Sequence, residues 1–173
     1  ITLIHGQNSP TSTLATQRFA GFDQRQKLLE KSLVKNIPVR SIGPTIMSGR
    51  VVDIDVSPIN PSHFYVAYAS GGLWKTNNTG NSFKPIFDYE PVMTIGDIAV
   101  DWQHNEKIWI GTGENNSSRS SYSGMGIYTS IDSGKTWHPS GLEESHHIGR
   151  IVLHPQNPNI AWVASIGHLY SSN

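Results

Sequence analysis

Cysteine is absent from the 173 residues. That excludes a disulfide framework and any mechanism built on a thiol, although it does not identify a compartment. An excess of charge of either sign is also missing: 13 Lys and Arg balance 13 Asp and Glu. No basic stripe of the kind that tracks phosphates is present, so nucleic acid is not the expected partner. No run of 18 apolar residues occurs, and no helical membrane span is expected. Helical periodicity is scarce as well. Residues 23–36, DQRQKLLEKSLVKN, are the exception, with Leu28, Leu29 and Leu33 on one helical face. The expectation is a short helix packing that leucine face on the rest of the chain, preceded by an irregular linker over 11–20. Residues 1–7, ITLIHGQ, fit either the tail of a secretory signal peptide cut before Gln7 or a disordered leader.

What the chain does contain is a repeat. Residues 49–56 (GRVVDIDV), 96–101 (GDIAVD) and 149–154 (GRIVLH) align, and their first glycines are 47 and 53 residues apart. A polar turn follows each: 57–61 (SPINP), 102–106 (WQHNE) and 155–159 (PQNPN). Next come runs rich in β-branched and aromatic residues, at 64–68, 108–110 and 161–164, and two copies continue into a third run, at 72–76 and 126–130. The third run leads into a tight hairpin. Residues 129–137 read TSIDSGKTW, and residues 76–83 read TNNTGNSF. In such a hairpin the Asp or Asn side chain accepts hydrogen bonds from turn N–H groups, and Gly takes the positive-φ position. The closing aromatic plugs a gap between neighbouring sheets. Four short strands about every 50 residues is the signature of propeller blades.

These hairpins resemble the Asp-box of secreted BNR, sortilin-like and sialidase-like β-propellers. The run GGLWKT at 71–76 and the Asn-Pro turns share the likeness. The stretches 43–51, 111–116 and 145–150 are similar to members from Bacteroidota-type bacteria, and the resemblance covers residues 39–173. It implies an all-β fold of four-stranded antiparallel blades, in a ring of seven or more, preceded by a short helix and linker. Residues 1–36 are then leader, linker and helix. Residues 37–173 are the N-terminal part of the propeller: a closing strand at 37–42 (IPVRSI), two full blades and the start of a third. Seven blades need roughly 350 residues, so the chain reads as the beginning of a longer one. The resemblance also implies a secreted, periplasmic or cell-surface location. It assigns Asn78, Gly80, Phe83, Asp132, Gly134 and Trp137 a structural role in the turns.

In propellers of this pattern the ligand face carries the loops between second and third strands and between fourth and first strands. The insertion at 111–124, GTGENNSSRSSYSG, is polar and suited to hydrogen-bonding a sugar or peptide. Glu114 is its only carboxylate and Arg119 its only cation, so they either pair and order the loop or meet a ligand. Asn115 and Tyr122 accompany them. The connection at 141–150 adds His146 and His147, and His168 falls on the same face. Histidines near Glu143 and Glu144 are zinc-type ligands. Neighbouring loop histidines do not comfortably share one ion, however, and no helical H-x-x-x-H occurs, so neither metal nor cofactor is expected. Arg50 and Arg150, at equivalent repeat positions, either gather an anionic ligand or brace a neighbouring blade.

Two enzyme families share the implied fold, and the chain departs from both. Sialidases carry an early Arg-Ile-Pro, whereas here the order is Ile37-Pro38-Val39-Arg40. Endo-xyloglucanases place a catalytic Asp just before the two glycines, whereas Ser70 stands there, and a serine is not the carboxylate that glycoside hydrolysis requires. The leading expectation is a propeller that binds a carbohydrate or peptide ligand on its loop-rich face. The alternatives are a glycoside hydrolase with Glu114 as one carboxylate, and a scaffold for secretion-machinery or surface-protein partners.

Overall fold

In the computed structural model, residues 11–38, 49–103, 106–116 and 121–169 are described. Helix α1 (Ala15–Glu30) is followed by ten strands: β1 (Val51–Val56), β2 (Phe64–Tyr68), β3 (Gly72–Thr76), β4 (Lys84–Pro85), β5 (Ile95–Asp101), β6 (Lys107–Thr112), β7 (Ile127–Ser130), β8 (His138–Pro139), β9 (Ile148–His154) and β10 (Asn157–Ser165). They form two four-stranded sheets, β1-β2-β3-β4 and β5-β6-β7-β8, and a two-stranded sheet of β9 and β10, each an antiparallel meander.

The repeat is exact enough to be read across the ladders. Ile54, Val66, Trp74 and Pro85 form one row across the first sheet. Ile98, Ile110, Tyr128 and Pro139 form the matching row across the second. Both sheets also carry an irregularity at the start of their first strand, between Val51 and Asp53 and between Ile95 and Asp97. An extra residue there increases local twist. The fourth strands are shorter than the sequence suggests, two residues each, because a proline in each removes a ladder donor. The expected closing strand at 37–42 falls almost wholly outside the described residues, as do the leader at 1–10 and the chain end at 170–173.

The sheets pack face to face. Tyr65, Leu73, Phe87, Ile95, Ile98, Ile108, Tyr128 and Trp137 belong to one buried cluster that joins the first sheet to the second. A smaller cluster of Ala99, Ile127, Ile148 and Ile151 joins the second to the third. Polar groups cross the same boundaries near the innermost strands. Asp55 accepts from Val100 N (2.8 Å) and Trp102 Nε1 (2.6 Å), Asp53 accepts from Ile98 N (3.3 Å), and Asp97 accepts from Ile151 N (2.6 Å). Each bond spends a first-strand carboxylate of one sheet on a first-strand N–H, or the indole just beyond it, in the next. Such charge-assisted bonds are shorter and stronger than neutral ones.

The hairpins follow the sequence expectation closely. Asp132 Oδ1 accepts from Lys135 N (3.0 Å) and Thr136 N (2.9 Å), and Oδ2 accepts from Thr136 Oγ1 (2.6 Å). Ser130 Oγ donates to Asp132 Oδ1 (2.8 Å) and accepts from Gly134 N (2.9 Å). The Thr136 hydroxyl leads a set of donors that holds the Asp132 carboxyl far below the usual carboxylate range. The weaker copy repeats the scheme, with Asn78 Oδ1 accepting from Ser82 N (3.0 Å) and Thr76 Oγ1 accepting from Gly80 N (3.1 Å). Gly134 has φ +84°, and a Cβ there would stand 2.5 Å from Ile86 Cδ1. Trp137 completes the device: its Nε1 donates to Ile86 O (2.7 Å) at the edge of the preceding sheet, and its ring meets Phe87 edge-on at 5.1 Å.

The helix departs from expectation. It begins at Ala15, inside the segment read as a linker, and stops at Glu30, so Leu33 lies beyond it and is 99% exposed. Leu28 and Leu29 also face solvent. The contacts that hold the helix are at its other end, where Ala15 is buried and Phe19 packs on the main cluster. Leucine spacing misplaced the packed face because the anchoring groups, Ala15, Arg18 and Phe19, match no helical stripe of strong hydrophobes.

Replacing Trp137 with Ala removes the wedge between the first two sheets and leaves Ile86 O without its donor. We expect a loss of about 3–5 kcal/mol, the usual range for a large aromatic removed from a core. Phe83→Ala, at the half-buried equivalent position in the first hairpin, should cost distinctly less. Denaturant unfolding of the two variants measures the difference.

Candidate functional site

The described limbs of the long insertion between β6 and β7 are held by contacts with neighbouring loops. Gly113 has φ +87°, and a Cβ there would collide with His146 O, so only glycine brings the two loops this close. Gly113 N donates to Thr94 O (3.0 Å), Glu114 N donates to Tyr122 O (3.1 Å), and Gly124 N donates to His146 O (2.6 Å). The insertion is thereby tied to the connection before β5 and to the connection before β9.

Within this frame the two candidates at its start turn inward. Glu114 is 2% exposed and forms an ion pair with Arg50, at the entry to β1 in the preceding sheet. Its backbone oxygen is 2.8 Å from His147 Nδ1. Asn115 Nδ2 donates to both Gly96 O (2.9 Å) and Gly149 O (3.2 Å), joining the first strands of the second and third sheets. The partner of Glu114 is therefore Arg50, on another blade, and Arg119 lies outside the described residues. Arg150, from the equivalent repeat position, instead reaches back to Asp97 (3.3 Å). Burial pushes the Asp97 carboxyl up to about 6. Both arginines brace a neighbouring sheet, one of the two roles their positions suggest, and both keep an exposed flank: the side chain of Arg50 is 53% accessible.

The three histidines lie close together. The His146 and His168 rings lie 4.1 Å apart, and His147 sits 6.3 Å from His146. Burial first, then the neighbouring His168 imidazole and the Arg18 guanidinium, push His146 down to about 4. Burial likewise lowers His147, with His168 adding to it. His168 Nε2 is 3.0 Å from Glu144 O. Among the described residues no group of three or more His, Cys, Asp or Glu has metal-binding geometry. Tyr122 stands exposed on the returning limb of the insertion.

Sequence reasoning missed the helix as a component of this face. Glu144 caps it: both carboxylate oxygens accept from Ala15 N, at 2.9 and 3.0 Å. A carboxylate at a helix N-terminus is stabilised by the unsatisfied N–H groups and the macrodipole. Arg18 donates to Gly124 O (2.5 Å) and Glu143 O (2.7 Å), locking the first turn of α1 onto the loops. The signal for this lies more than 100 residues away along the chain, where no local pattern records it.

No protein-family model matches the chain, and no curated protein does. Solved structures do. An ancestral GH74 enzyme aligns with 69% of the chain at 20% identity and a TM-score of 0.51. The GH74 enzyme of Niastella koreensis aligns with 65% at 22% identity and the same TM-score. YCF48 from Cyanidioschyzon merolae aligns with 70% at 16% identity and a TM-score of 0.47. The sheets are β-propeller blades. The chain spans only 17% and 16% of the two GH74 enzymes, and at these identities the likeness concerns the fold alone.

The histidine cluster makes the loop face acid-sensitive. A histidine held neutral by burial contributes stability that is present above the unfolded value near 6.5 and is lost as pH falls through about 4. Carboxylates raised by burial, such as Asp97, act in the opposite sense, so the histidine contribution must be isolated by difference. We expect wild type to lose stability relative to His146→Gln as pH is lowered across that window. Denaturant midpoints for both proteins from pH 7 to pH 4 provide the check.

Proposed function

We propose that the chain is the beginning of a secreted or cell-surface propeller of the BNR, sortilin-like kind, closing into a ring of seven or more blades, and that it binds a carbohydrate or peptide ligand on its loop-rich face. One observation carries the reading. On that face the His146–His168 pair and the part-accessible side chain of Arg50 belong to loops cross-braced by Glu114, Asn115, Gly113 and Arg18, and Tyr122 stands exposed on the returning limb of the insertion. Braced loops that carry an exposed aromatic ring, a half-buried imidazole pair and a part-accessible guanidinium suit ligand selection by side chains. The turn chemistry of Asp132 and Asn78, with Trp137 wedged into the preceding blade, supports the Asp-box assignment.

The likeness to GH74 enzymes favours a second reading, a glycoside hydrolase with Glu114 as one of its two carboxylates. Against it stand the burial of Glu114 under Arg50 and Ser70 in the position before the two glycines. A carboxylate buried beneath a guanidinium has no easy access to a glycosidic oxygen. A third reading, a scaffold for export or surface partners, draws on the same face without a distinguishing contact.

Tyr122→Ala and His168→Ala should each weaken binding of the ligand found on a glycan and peptide array about tenfold, with the thermal midpoint nearly unchanged. Glu114→Gln should lower the midpoint and leave affinity within about twofold. Hydrolysis by wild type that disappears in Glu114→Gln would replace this reading with the hydrolase.

A further inference from the structure

A second candidate surface lies beside the two hairpin turns and shares no residue with the loop face. A groove of about 570 Å³ runs between the first and second blades, lined by Lys75, Lys84, Lys135, Phe83 and Tyr89 together with small polar side chains. Its size falls within the range of ligand sites. In a chain whose charges balance, this groove collects three lysines, and no Asp or Glu lines it. Lys75 is neutralised in part by Glu106 at 3.3 Å. Among the described residues, Lys84 and Lys135 have no carboxylate within ion-pair reach. Tyr89 is 91% exposed, its ring offered to solvent at the rim rather than to the core.

We propose that this groove binds an anionic oligosaccharide, with Lys84 and Lys135 pairing to its sulfate or carboxylate groups and Tyr89 stacking on a sugar ring. The lysines supply charge-assisted bonds to anionic oxygens, and an aromatic face supplies apolar contact without a hydrogen-bond requirement. Asn77 lines the same wall, and Ser82 Oγ, which accepts from Asn78 Nδ2 at 2.9 Å, keeps its proton for a ligand hydroxyl. An extended acidic peptide suits the site less well, because strand addition needs free backbone groups. Here the turns consume their own donors: Ser82 N on Asn78, and Lys135 N and Thr136 N on Asp132. What remains for a ligand is side chains, the mode by which sugars are read. The two anionic chemistries, sulfate and uronate, are separated by the choice of probe.

The full chain is titrated with a sulfated heparin-type hexasaccharide, a galacturonate hexasaccharide, a neutral xyloglucan oligosaccharide and a polyglutamate peptide. We expect one or both charged sugars to bind, and the tighter of them to identify the anion. Affinity should fall about tenfold or more in Lys84→Ala/Lys135→Ala and about threefold or more in Tyr89→Ala, and it should weaken as salt rises from about 50 to about 300 mM. All three side chains are exposed, so unchanged thermal midpoints will show that the variants fold. Hydrogen exchange with the bound sugar should slow at 82–89 and 133–135. The proposal is overturned if neither charged sugar binds, if the variants bind as wild type, if polyglutamate binds more tightly than either sugar, or if protection appears at 141–150 instead. Tyr122→Ala affects the loop face alone, so failure of one surface is distinguishable from failure of the other.

Discussion

Trp137 lies at the boundary on which the arrangement of the first two blades depends. Its ring closes the gap between them against Phe87, and its indole N–H reaches Ile86 O of the neighbouring sheet at 2.7 Å. A wedge of this kind works only if it arrives at a fixed angle. The turn before it therefore has to be rigid, and Asp132 makes it so by drawing the N–H groups of residues 135 and 136 and the Thr136 hydroxyl onto one carboxylate. Gly134 follows from the same demand, because only a residue without a side chain passes Ile86 at that φ. Sequence, turn and blade contact are thus one constraint seen at three scales. The inner edge is secured separately, by Asp53, Asp55 and Asp97 reaching N–H groups in the next sheet.

The parts legible in the sequence were those in which local chemistry and global position coincide. The glycines at 49, 96 and 149 marked the blade starts, and the TSIDSGKTW run marked a hairpin with a structural Asp and a plugging Trp. Runs such as FYVAY and the 96–101 segment became β2 and β5 because β-branched and other apolar side chains fit a pleated surface buried on both faces. The helix was legible only as a helix. Its leucines suggested a buried face at residues 28–33, yet the anchoring atoms are a backbone N–H at Ala15 and the guanidinium of Arg18. Both are satisfied by Glu144, Glu143 and Gly124, and hydrophobic periodicity carries no record of such partners.

The loop face shows the same division. Polarity drew attention to residues 111–124, but polarity does not separate a side chain that meets a ligand from one that holds the loop. Asn115 and Glu114 have the residue types of a sugar site, and the structure uses both to cross-link blades. His147 is likewise buried against Glu114 O. Among the described residues, those with accessible side chains include Tyr122 and part of Arg50. A rigid substructure built from apparently functional residues leaves the fewer exposed ones well positioned, so the number of polar residues in an insertion is a poor measure of how many contact a ligand.

Arg50 and Arg150 make the general point about repeats. They occupy the same place after the same glycine, and equivalence alone would give them one role. Arg50 extends forward to Glu114 in the following blade, whereas Arg150 reaches back to Asp97 in the preceding one. The difference arises because a blade's inner-strand position is a two-sided site: it faces whichever neighbour offers a carboxylate. In the second blade the corresponding residue is Asp97 itself, so charge alternates along the row from Arg50 through Asp97 to Arg150. A uniform row of arginines would repel across each boundary. Asp97 turns one of those boundaries into a brace with Arg150, and Arg50 finds its own partner in Glu114, so the copies of the repeat diverge at this position.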